Sequence, residues 1–258
     1  SELGRAGIRP PSLDEMLLAG GYPPLYDRGL LPGVWFPAYV TAYVERDVRQ
    51  LLKVQDLEVF QRFVRLCAGR SGQILNLASL ATDCGITHNT AKAWISVLEA
   101  SYVLLLLRPH HENFSKRLIK APKLYFYDTG LLCWLLGIQN AGQLALHPLR
   151  GSIFETFIVS ELVKSRLNHG ERAAFNFWRD SNGNEIDIVA DVGVHMMPIE
   201  IKAGQTINRD FFSGLERWSA LAGKRVVSPV LIYGGESNHE RKGTRIISWR
   251  NVAEALGG

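Results

Sequence analysis

The stretch NEIDIVADVGVHMMPIEIKAG (residues 184–204) decides the fold of the last part of the chain, because it reads as two β-strands joined by a turn. Charged side chains interrupt both apolar runs: Asp187 lies between two isoleucines, and Glu200 and Lys202 flank Ile201. An unpaired charge is costly to bury, so each of these residues needs a partner. Their placement predicts a polar site shared by neighbouring strands.

Side-chain alternation predicts how these charges meet. Glu200 and Lys202 share one face of their strand, and Asp187 lies 13 residues before Glu200, across the turn at Gly193. Two carboxylates at one point repel each other unless a cation or a shared proton intervenes, and hard oxygen ligands suit Mg²⁺ or Mn²⁺. A neighbouring lysine can orient a metal-bound water or stabilise charge on a phosphate. The set therefore predicts metal-dependent phosphodiester hydrolysis.

A further acid is expected on the helix that precedes these strands, GSIFETFIVSELVKSRL (151–167). Glu155 comes three, four and seven positions before Ile158, Val159 and Leu162, so it lies on the apolar, sheet-facing stripe. It either completes a second metal position or orients a ligand, or it forms an ordinary salt bridge to a lysine or arginine of the same core. The order helix, three strands, helix, strand predicts an α/β domain with a mixed sheet over residues 150–258.

A helix-turn-helix is predicted at LNLASLATDCGITHNTAKAWISVLEAS (75–101), where Gly85 supplies the turn and Thr87 caps the second helix. Two apolar strands follow, which predicts a winged helix over residues 70–138, after a helical connector at 1–69. Asp128, beyond the second strand, is expected to cap the next helix.

The segment between the two strands of the predicted winged helix is basic, and such a segment can contact phosphates. The residues predicted to contact nucleic acid lie in this segment and on the second helix: Thr90, Lys92, Lys116, Arg117, Lys120 and Lys123. In the alternative interpretation, the winged helix binds a protein partner and the charged residues form a solvent-exposed face.

Composition sets limits on the class of protein. The chain has 258 residues, of which 47% are hydrophobic and 21% are charged, as in globular proteins. Its net charge of +4 is a modest basic bias, which does not by itself indicate a class of binding partner. The three cysteines have no CxxC spacing, which favours a reducing, cytoplasmic setting and no cysteine zinc site. No apolar run approaches the roughly 18 residues of a membrane span, so no membrane contact is expected.

The ordered set of Glu155, Asp187, Glu200 and Lys202 resembles the PD-(D/E)XK nuclease superfamily, in its archaeal Holliday-junction resolvase type. The resemblance implies a restriction-endonuclease-like fold, in which these four residues are catalytic and Asp187 and Glu200 hold the metal. Where the motif usually has Pro-Asp, this chain has Ile186-Asp187.

A second resemblance covers nearly the whole chain. Five segments of the chain together resemble the C-terminal half of a prokaryotic AAA-type ATPase family with a C-terminal domain of unknown function. They are GGYPP (20–24), YVERDVRQL (43–51), residues 72–104, NFSKRLIKAPKLYFYDTGLL (113–132) and GSIFETFIVSEL (151–162). It implies that an ATPase domain precedes residue 1 and that ATP acts only through that domain. Gly223-Lys224 is followed by Arg225 and is not a phosphate-binding loop, so no nucleotide site is expected in the chain itself.

Two functions follow from these observations. The first is a nucleic-acid-processing module of an AAA-type ATPase, which binds DNA through the winged helix and holds Mg²⁺ or Mn²⁺ for cleavage. The alternative is a catalytically inactive module that binds a partner, regulates the ATPase or forms a homo-oligomer.

Overall fold

The computed structural model describes residues 10–46, 56–110 and 120–256. Lys116 and Arg117 lie outside these ranges, as does most of the basic segment, so their contact with phosphate stays a prediction. The chain has a mixed α/β fold with a large mixed sheet, as the sequence predicted at this level. Every helix within the three ranges is too short or too polar to cross a bilayer.

Helices occupy most of the first half of the described chain and flank the sheet in the second. The α-helices of the described ranges are α1 (Leu13–Ala19), α2 (Pro23–Asp27), α3 (Pro32–Tyr39), α4 (Leu57–Ala68), α5 (Leu77–Cys84), α6 (His88–Ala100), α7 (Thr129–Leu135), α8 (Ala141–Leu146), α9 (Arg150–Asn168) and α10 (Ser213–Ala222). A π-helical segment follows α3 at Val40–Glu45, and 3-10 helices lie at Arg209–Phe212, Gly223–Arg225 and Trp249–Leu256.

The strands of these ranges form one sheet of mixed direction. They are β1 (Gln73–Ile74), β2 (Leu104–Pro109), β3 (Lys123–Phe126), β4 (Phe175–Arg179), β5 (Glu185–Val192), β6 (His195–Lys202), β7 (Val230–Tyr233), β8 (His239–Arg241) and β9 (Thr244–Ser248). Their order across the sheet is β1-β3-β2-β4-β5-β6-β7-β9-β8. Strands β4, β5 and β6 are antiparallel neighbours, whereas β7 runs parallel to β6 and to β9.

The predicted pair of helices within residues 75–101 is present, and its caps are those that the sequence indicates. Helix α5 ends at Cys84, and Gly85 follows it with φ +70°, a left-handed conformation that glycine adopts without strain. The Thr87 side chain accepts a hydrogen bond from the Thr90 backbone N–H at 3.1 Å and so caps α6. The antiparallel strands β2 and β3 come next in the described chain.

The second half of the chain has the predicted order of helix, three strands, helix and strand: α9, β4, β5, β6, α10 and β7. Helix α9 packs its apolar stripe, including Ile158 and Leu162, against one face of the sheet. Helix α10 covers the opposite face with Leu215, where Trp178 and Ile186 are fully buried. Because both faces are covered, the central strands are apolar in almost every position, and a charged residue among them stands out.

A short parallel pairing, here called the sheet joint, connects the first three strands to the rest. It pairs Arg108 of β2 with Asn176 of β4 and Pro109 with Phe177. The backbone N–H of His110 extends it by donating to the Phe177 carbonyl at 2.7 Å. This joint fixes β3, which lies beyond β2, relative to β5. The predicted division at residues 1–69, 70–138 and 150–258 stays a prediction.

Asp128 joins the beginning of the described chain to the start of α7. Its carboxylate accepts hydrogen bonds from the backbone N–H groups of Leu131 at 2.7 Å and Gly21 at 2.6 Å. The first is the predicted helix cap. Burial raises the pKa of Asp128, and these backbone donors oppose the rise. A Cβ at Gly20 would lie 2.4 Å from the Asp128 carboxylate, so this contact requires glycine there.

Replacing Asp128 by alanine is expected to lower the free energy of unfolding by about 2–3 kcal/mol, because two backbone donors lose their acceptor in a buried place. Asp56→Ala is a matched control: Asp56 caps α4 at an exposed position, and its loss is expected to cost about 1 kcal/mol or less. Urea unfolding followed by circular dichroism compares the two. Equal losses for the two variants would contradict the role given to Asp128.

Candidate functional site

Strand β6 presents the E-x-K segment, Glu200 to Lys202, in the way that alternation predicts. The Lys202 Nζ donates to Glu200 Oε1 at 2.5 Å, so both side chains lie on one face. Ile199 and Ile201 belong to the core on the other face, under α9. The carboxylate of Glu200 lies against the start of α10, where a Cβ at Gly214 would come within 3.2 Å of Oε2.

Asp187 lies beside this segment, on the neighbouring strand β5. The β5–β6 register, extended by one residue, places Asp187 opposite Glu200. The Asp187 Oδ2 accepts a hydrogen bond from the Ile201 backbone N–H at 2.8 Å, which fixes the carboxylate at the E-x-K segment. Next to Asp187 the register with β4 shifts, so that one residue of β4 faces two of β5. Such a bulge re-aims the side chains of the bulged strand.

Glu155 points from α9 to the sheet, on the stripe where the sequence placed it. Its Oε1 accepts hydrogen bonds from the Tyr125 hydroxyl at 2.5 Å and from the Lys123 Nζ at 2.9 Å. Burial raises the pKa of Glu155; the Lys123 charge opposes this rise and the Asp187 charge adds to it. The salt bridge to a core lysine, one of the two expectations for this residue, is therefore present.

Lys123 is the residue whose location the sequence analysis got wrong. It was assigned to the basic segment that contacts phosphates, but it is the first residue of β3 and only 3% exposed. Its Nζ forms ion pairs with Glu155, with Glu185 and, at 3.9 Å, with Asp187. A side chain so buried and so paired is not a nucleic-acid contact. The signal was available, since Lys123 opens an apolar strand just as Asp187 interrupts one.

Glu185 is a site residue that the sequence analysis missed. It begins β5 two positions before Asp187, and it pairs with Lys123 and, at 3.2 Å, with Arg179. The spacing of two positions in a strand would have placed its side chain near that of Asp187. One oxygen from each of Glu155, Glu185 and Asp187 lies within 4.8 Å of the others. These three residues are called the acidic cluster below.

Glu200 carries a buried oxygen that nothing in the described ranges satisfies. Its Oε2 is inaccessible to solvent and has no hydrogen-bond partner among the described residues, although Oε1 is paired with Lys202. Burial raises the pKa of Glu200 to about 8; the nearby Asp187 charge adds to the rise, and Lys202 opposes it. An unsatisfied buried carboxylate oxygen is costly, so it calls for a proton or a cation.

The residues present fit a divalent metal ion. Carboxylate oxygens are the ligands that Mg²⁺ and Mn²⁺ prefer, and an ion beside Glu200 and Asp187 would satisfy the orphaned oxygen and separate two like charges. The acidic cluster offers a second set of carboxylate oxygens, in which the Lys123 ammonium lies.

The residues predicted to contact nucleic acid on α6 lie at its N-terminal end. Lys92 is exposed, whereas Thr90 is partly buried and its hydroxyl is hydrogen-bonded to that of Thr87 at 2.8 Å. Lys120 is exposed at the edge of the described range. Lys92 and Lys120 are thus accessible to a polyanion.

Comparison with known proteins divides the chain into two regions. Residues 10–142 match a family described as a domain of unknown function (DUF8612), and residues 150–252 match one described as a domain of unknown function (DUF4143). The latter is commonly found beside AAA ATPase domains. The first region ends within α8, at residue 142, and the second begins with α9, at residue 150.

Two relatives are uncharacterized proteins of Mycobacterium bovis and Mycobacterium tuberculosis. Each is 28% identical to this chain over 204 residues, which is 78% of this chain and 44% of the relative. The chain therefore spans less than half the length of these curated relatives.

The raised pKa of Glu200 predicts a pH dependence of stability. Between the ordinary value of 4.5 and about 8, the folded protein keeps a proton that the unfolded chain releases, so stability falls as pH rises through this window. Glu200→Gln removes the titrating carboxyl group and with it this loss of stability. In EDTA, the melting temperature of the variant minus that of wild type is expected to increase between about pH 5 and about pH 9.

Glu216→Gln, on the exposed side of α10, is the matched control and is expected to show no such trend. A difference between Glu200→Gln and wild type that stays constant across this pH range would contradict a raised pKa at Glu200.

Proposed function

Because the chain belongs to the DUF8612 family, whose description names no activity, we propose its function from the site itself. It is a metal-dependent phosphodiester hydrolase joined to a DNA-binding winged helix, and together they form the nucleic-acid-processing module of an AAA-type ATPase. The observation that carries this proposal is the orphaned, buried Glu200 oxygen beside Asp187.

Each residue of the site has a distinct part in this proposal. Asp187 and Glu200 would hold Mg²⁺ or Mn²⁺, an ion that supplies Lewis-acid polarisation of a phosphoryl oxygen. The Ile201 N–H fixes the Asp187 carboxylate in place, and Lys202 holds Glu200 by its Oε1 and leaves Oε2 for a ligand. Lys202 then provides positive charge where negative charge develops on the phosphate.

The arrangement of the elements supports the same proposal. The order α9, β4, β5, β6, α10, β7 agrees with the restriction-endonuclease-like fold that the resemblance to PD-(D/E)XK nucleases implies. In that resemblance Glu155 is the helical acid, and the structure gives it a place within the acidic cluster.

DNA binding is proposed for the winged helix formed by α5, α6, β2 and β3. In helix-turn-helix proteins the N-terminal part of the second helix reaches the major groove, and Lys92 is exposed at that end of α6. Thr90, Lys120 and, outside the described ranges, Lys116 and Arg117 complete the proposed contacts. Lys123 is left out because it is buried.

The ATPase belongs to the proposed larger protein. The DUF4143 region is commonly found beside AAA ATPase domains, and the mycobacterial relatives are more than twice as long as the matched segment. ATP turnover in such a domain would drive or gate the module, and a homo-oligomer of the larger protein is part of the proposal.

A second candidate function is a non-catalytic module that binds a partner or regulates the ATPase. One observation favours it: the Lys123 ammonium already neutralises the acidic cluster, so that these carboxylates are satisfied without a metal. In this candidate the acids serve to hold the two halves of the sheet together. DNA cleavage separates the two functions.

Purified protein with Mn²⁺ is expected to cleave branched, single-stranded or duplex DNA, and Asp187→Ala and Lys202→Ala are each expected to slow cleavage by about 100-fold or more. Asp191→Asn, an exposed acid on the same strand, and Lys224→Ala, an exposed lysine, are matched controls that should cleave as wild type does. Gel analysis of end-labelled DNA measures the rates. Cleavage that persists in EDTA or in the Asp187 variant would contradict the hydrolase and leave the non-catalytic module.

DNA binding through α6 predicts that Lys92→Glu weakens affinity for duplex DNA by about tenfold and lowers the slope of log K against log salt by about one unit or more. Lys224→Glu, in the 3-10 helix that follows α10, is the control for a general loss of positive charge. Fluorescence anisotropy at several salt concentrations measures both quantities. Equal effects of the two substitutions would show that α6 does not contact DNA.

A further inference from the structure

The position of Lys123 poses a physical problem of its own. A lysine that is 3% exposed at the start of β3 must be paired, because an isolated buried ammonium is strongly disfavoured. Its side chain passes over the Phe177 ring, with Nζ 5.7 Å from the ring centroid, and ends among carboxylates that belong to α9 and β5. The lysine thus comes from the DUF8612 region, and all its carboxylate partners come from the DUF4143 region.

The three carboxylates are arranged as ligands of one cation. One oxygen from each lies within 4.8 Å of the others. The Lys123 Nζ contacts Glu155 Oε1 and Glu185 Oε1 at hydrogen-bond distance and lies 3.9 Å from Asp187 Oδ1. Divalent ions bind carboxylate oxygens at roughly 2.0–2.6 Å. An ion held by the same oxygens would therefore lie where the ammonium group lies now, and the two positive charges would repel each other.

Each of these carboxylates has another partner that does not depend on Lys123. Tyr125 donates its hydroxyl to Glu155, Arg179 pairs with Glu185 and the Ile201 N–H binds Asp187. These partners would keep the three carboxylates close together while a metal ion replaced the ammonium. The orphaned Glu200 oxygen, whose electrostatic neighbours include Asp187 and Glu155, adds a further demand for positive charge at this end of the sheet.

We propose that Lys123 is a built-in counter-ion that occupies a divalent-cation position formed by Glu155, Glu185 and Asp187, so that a metal ion and the Lys123 ammonium exclude each other. This proposal rests on the metal centre proposed above and extends it by Glu185 and by an internal competitor. Lys123 then sets the metal affinity of the site.

The position of the Lys123 ammonium depends on the half of the molecule that carries β3. Lys123 is fixed to β3, and β3 reaches the second half of the sheet through β2 and the sheet joint, which pairs only two residues on each strand. A shift of the half that carries α5 and α6 would therefore move the ammonium and the Tyr125 hydroxyl together relative to the acidic cluster.

Mn²⁺ binding to the whole chain, measured by electron paramagnetic resonance and by calorimetry, tests the proposal. Lys123→Met is expected to bind Mn²⁺ at least about tenfold more tightly than wild type, because the ammonium that competes with the ion for the same carboxylate oxygens is removed. Lys123→Arg, which keeps the charge, should not gain affinity, and Lys224→Met is the matched control for loss of an exposed lysine. The double substitution Lys123→Met with Glu185→Gln should lose most of the gain, which locates the ion at the acidic cluster.

Unchanged or weaker Mn²⁺ binding by a folded Lys123→Met variant would overturn the proposal. Lys123→Gln, which is neutral but keeps a hydrogen-bond donor, replaces it if the methionine variant does not fold. A measurement on wild type decides independently: the ¹⁵N signal of the buried Lys123 ammonium should change at saturating Mg²⁺. A signal that is the same with and without Mg²⁺ contradicts mutual exclusion.

Cleavage assays on the same variants separate this proposal from the proposed function. Tighter Mn²⁺ binding by Lys123→Met without DNA cleavage by any variant would reject the hydrolase and keep the counter-ion. Mn²⁺-dependent cleavage by wild type, together with unchanged Mn²⁺ affinity in Lys123→Met, would keep the hydrolase and reject the counter-ion.

Discussion

The need to neutralise carboxylates in a nearly closed space governs this end of the sheet. Glu155, Asp187 and Glu200 approach one another from α9, β5 and β6, and mutual repulsion would drive them apart without nearby positive charge. Lys123 and Lys202 supply that charge from opposite directions. The compensation is incomplete, because one oxygen of Glu200 stays unsatisfied in the described structure. The Lys123 ion pairs join the two halves of the sheet, and the remaining shortage of positive charge at Glu200 is the observation on which the proposed metal site rests.

Local periodicity predicted the parts of the site that depend on one element alone. The period of two in a strand placed Glu200 and Lys202 on one face, and helical spacing placed Glu155 toward the sheet. Periodicity could place Lys123 in an apolar strand but could not identify its partners, because they lie 32 or more positions away and reach it only through the order of the strands. The bulge beside Asp187 is likewise invisible in the sequence, since it depends on the register with β4.

The fold shows the same limit. The caps at Thr87 and Asp128 and the order of elements from α9 to β7 were predictable, because turn chemistry and apolar patterns are local. Strand β9 (Thr244–Ser248) was not predicted: its run of apolar residues is short, and it becomes a strand because β7 offers a parallel partner. The sheet joint also escaped prediction, since a pairing of two residues has no pattern of its own.

The sheet joint has a consequence for how the protein can be divided. The first sequence family ends within α8 and the second begins with α9, but the hydrogen-bonded sheet contains strands from both regions. A fragment cut there would leave β4 as an open strand edge, with free backbone groups along Phe175–Arg179, and such edges recruit other chains. It would also remove the Lys123 ammonium from the partly buried carboxylates of Glu155 and Glu185. Truncation at the family boundary would thus produce a fragment that tends to aggregate and that buries uncompensated charge. The smallest fragment that keeps the native sheet contains both regions.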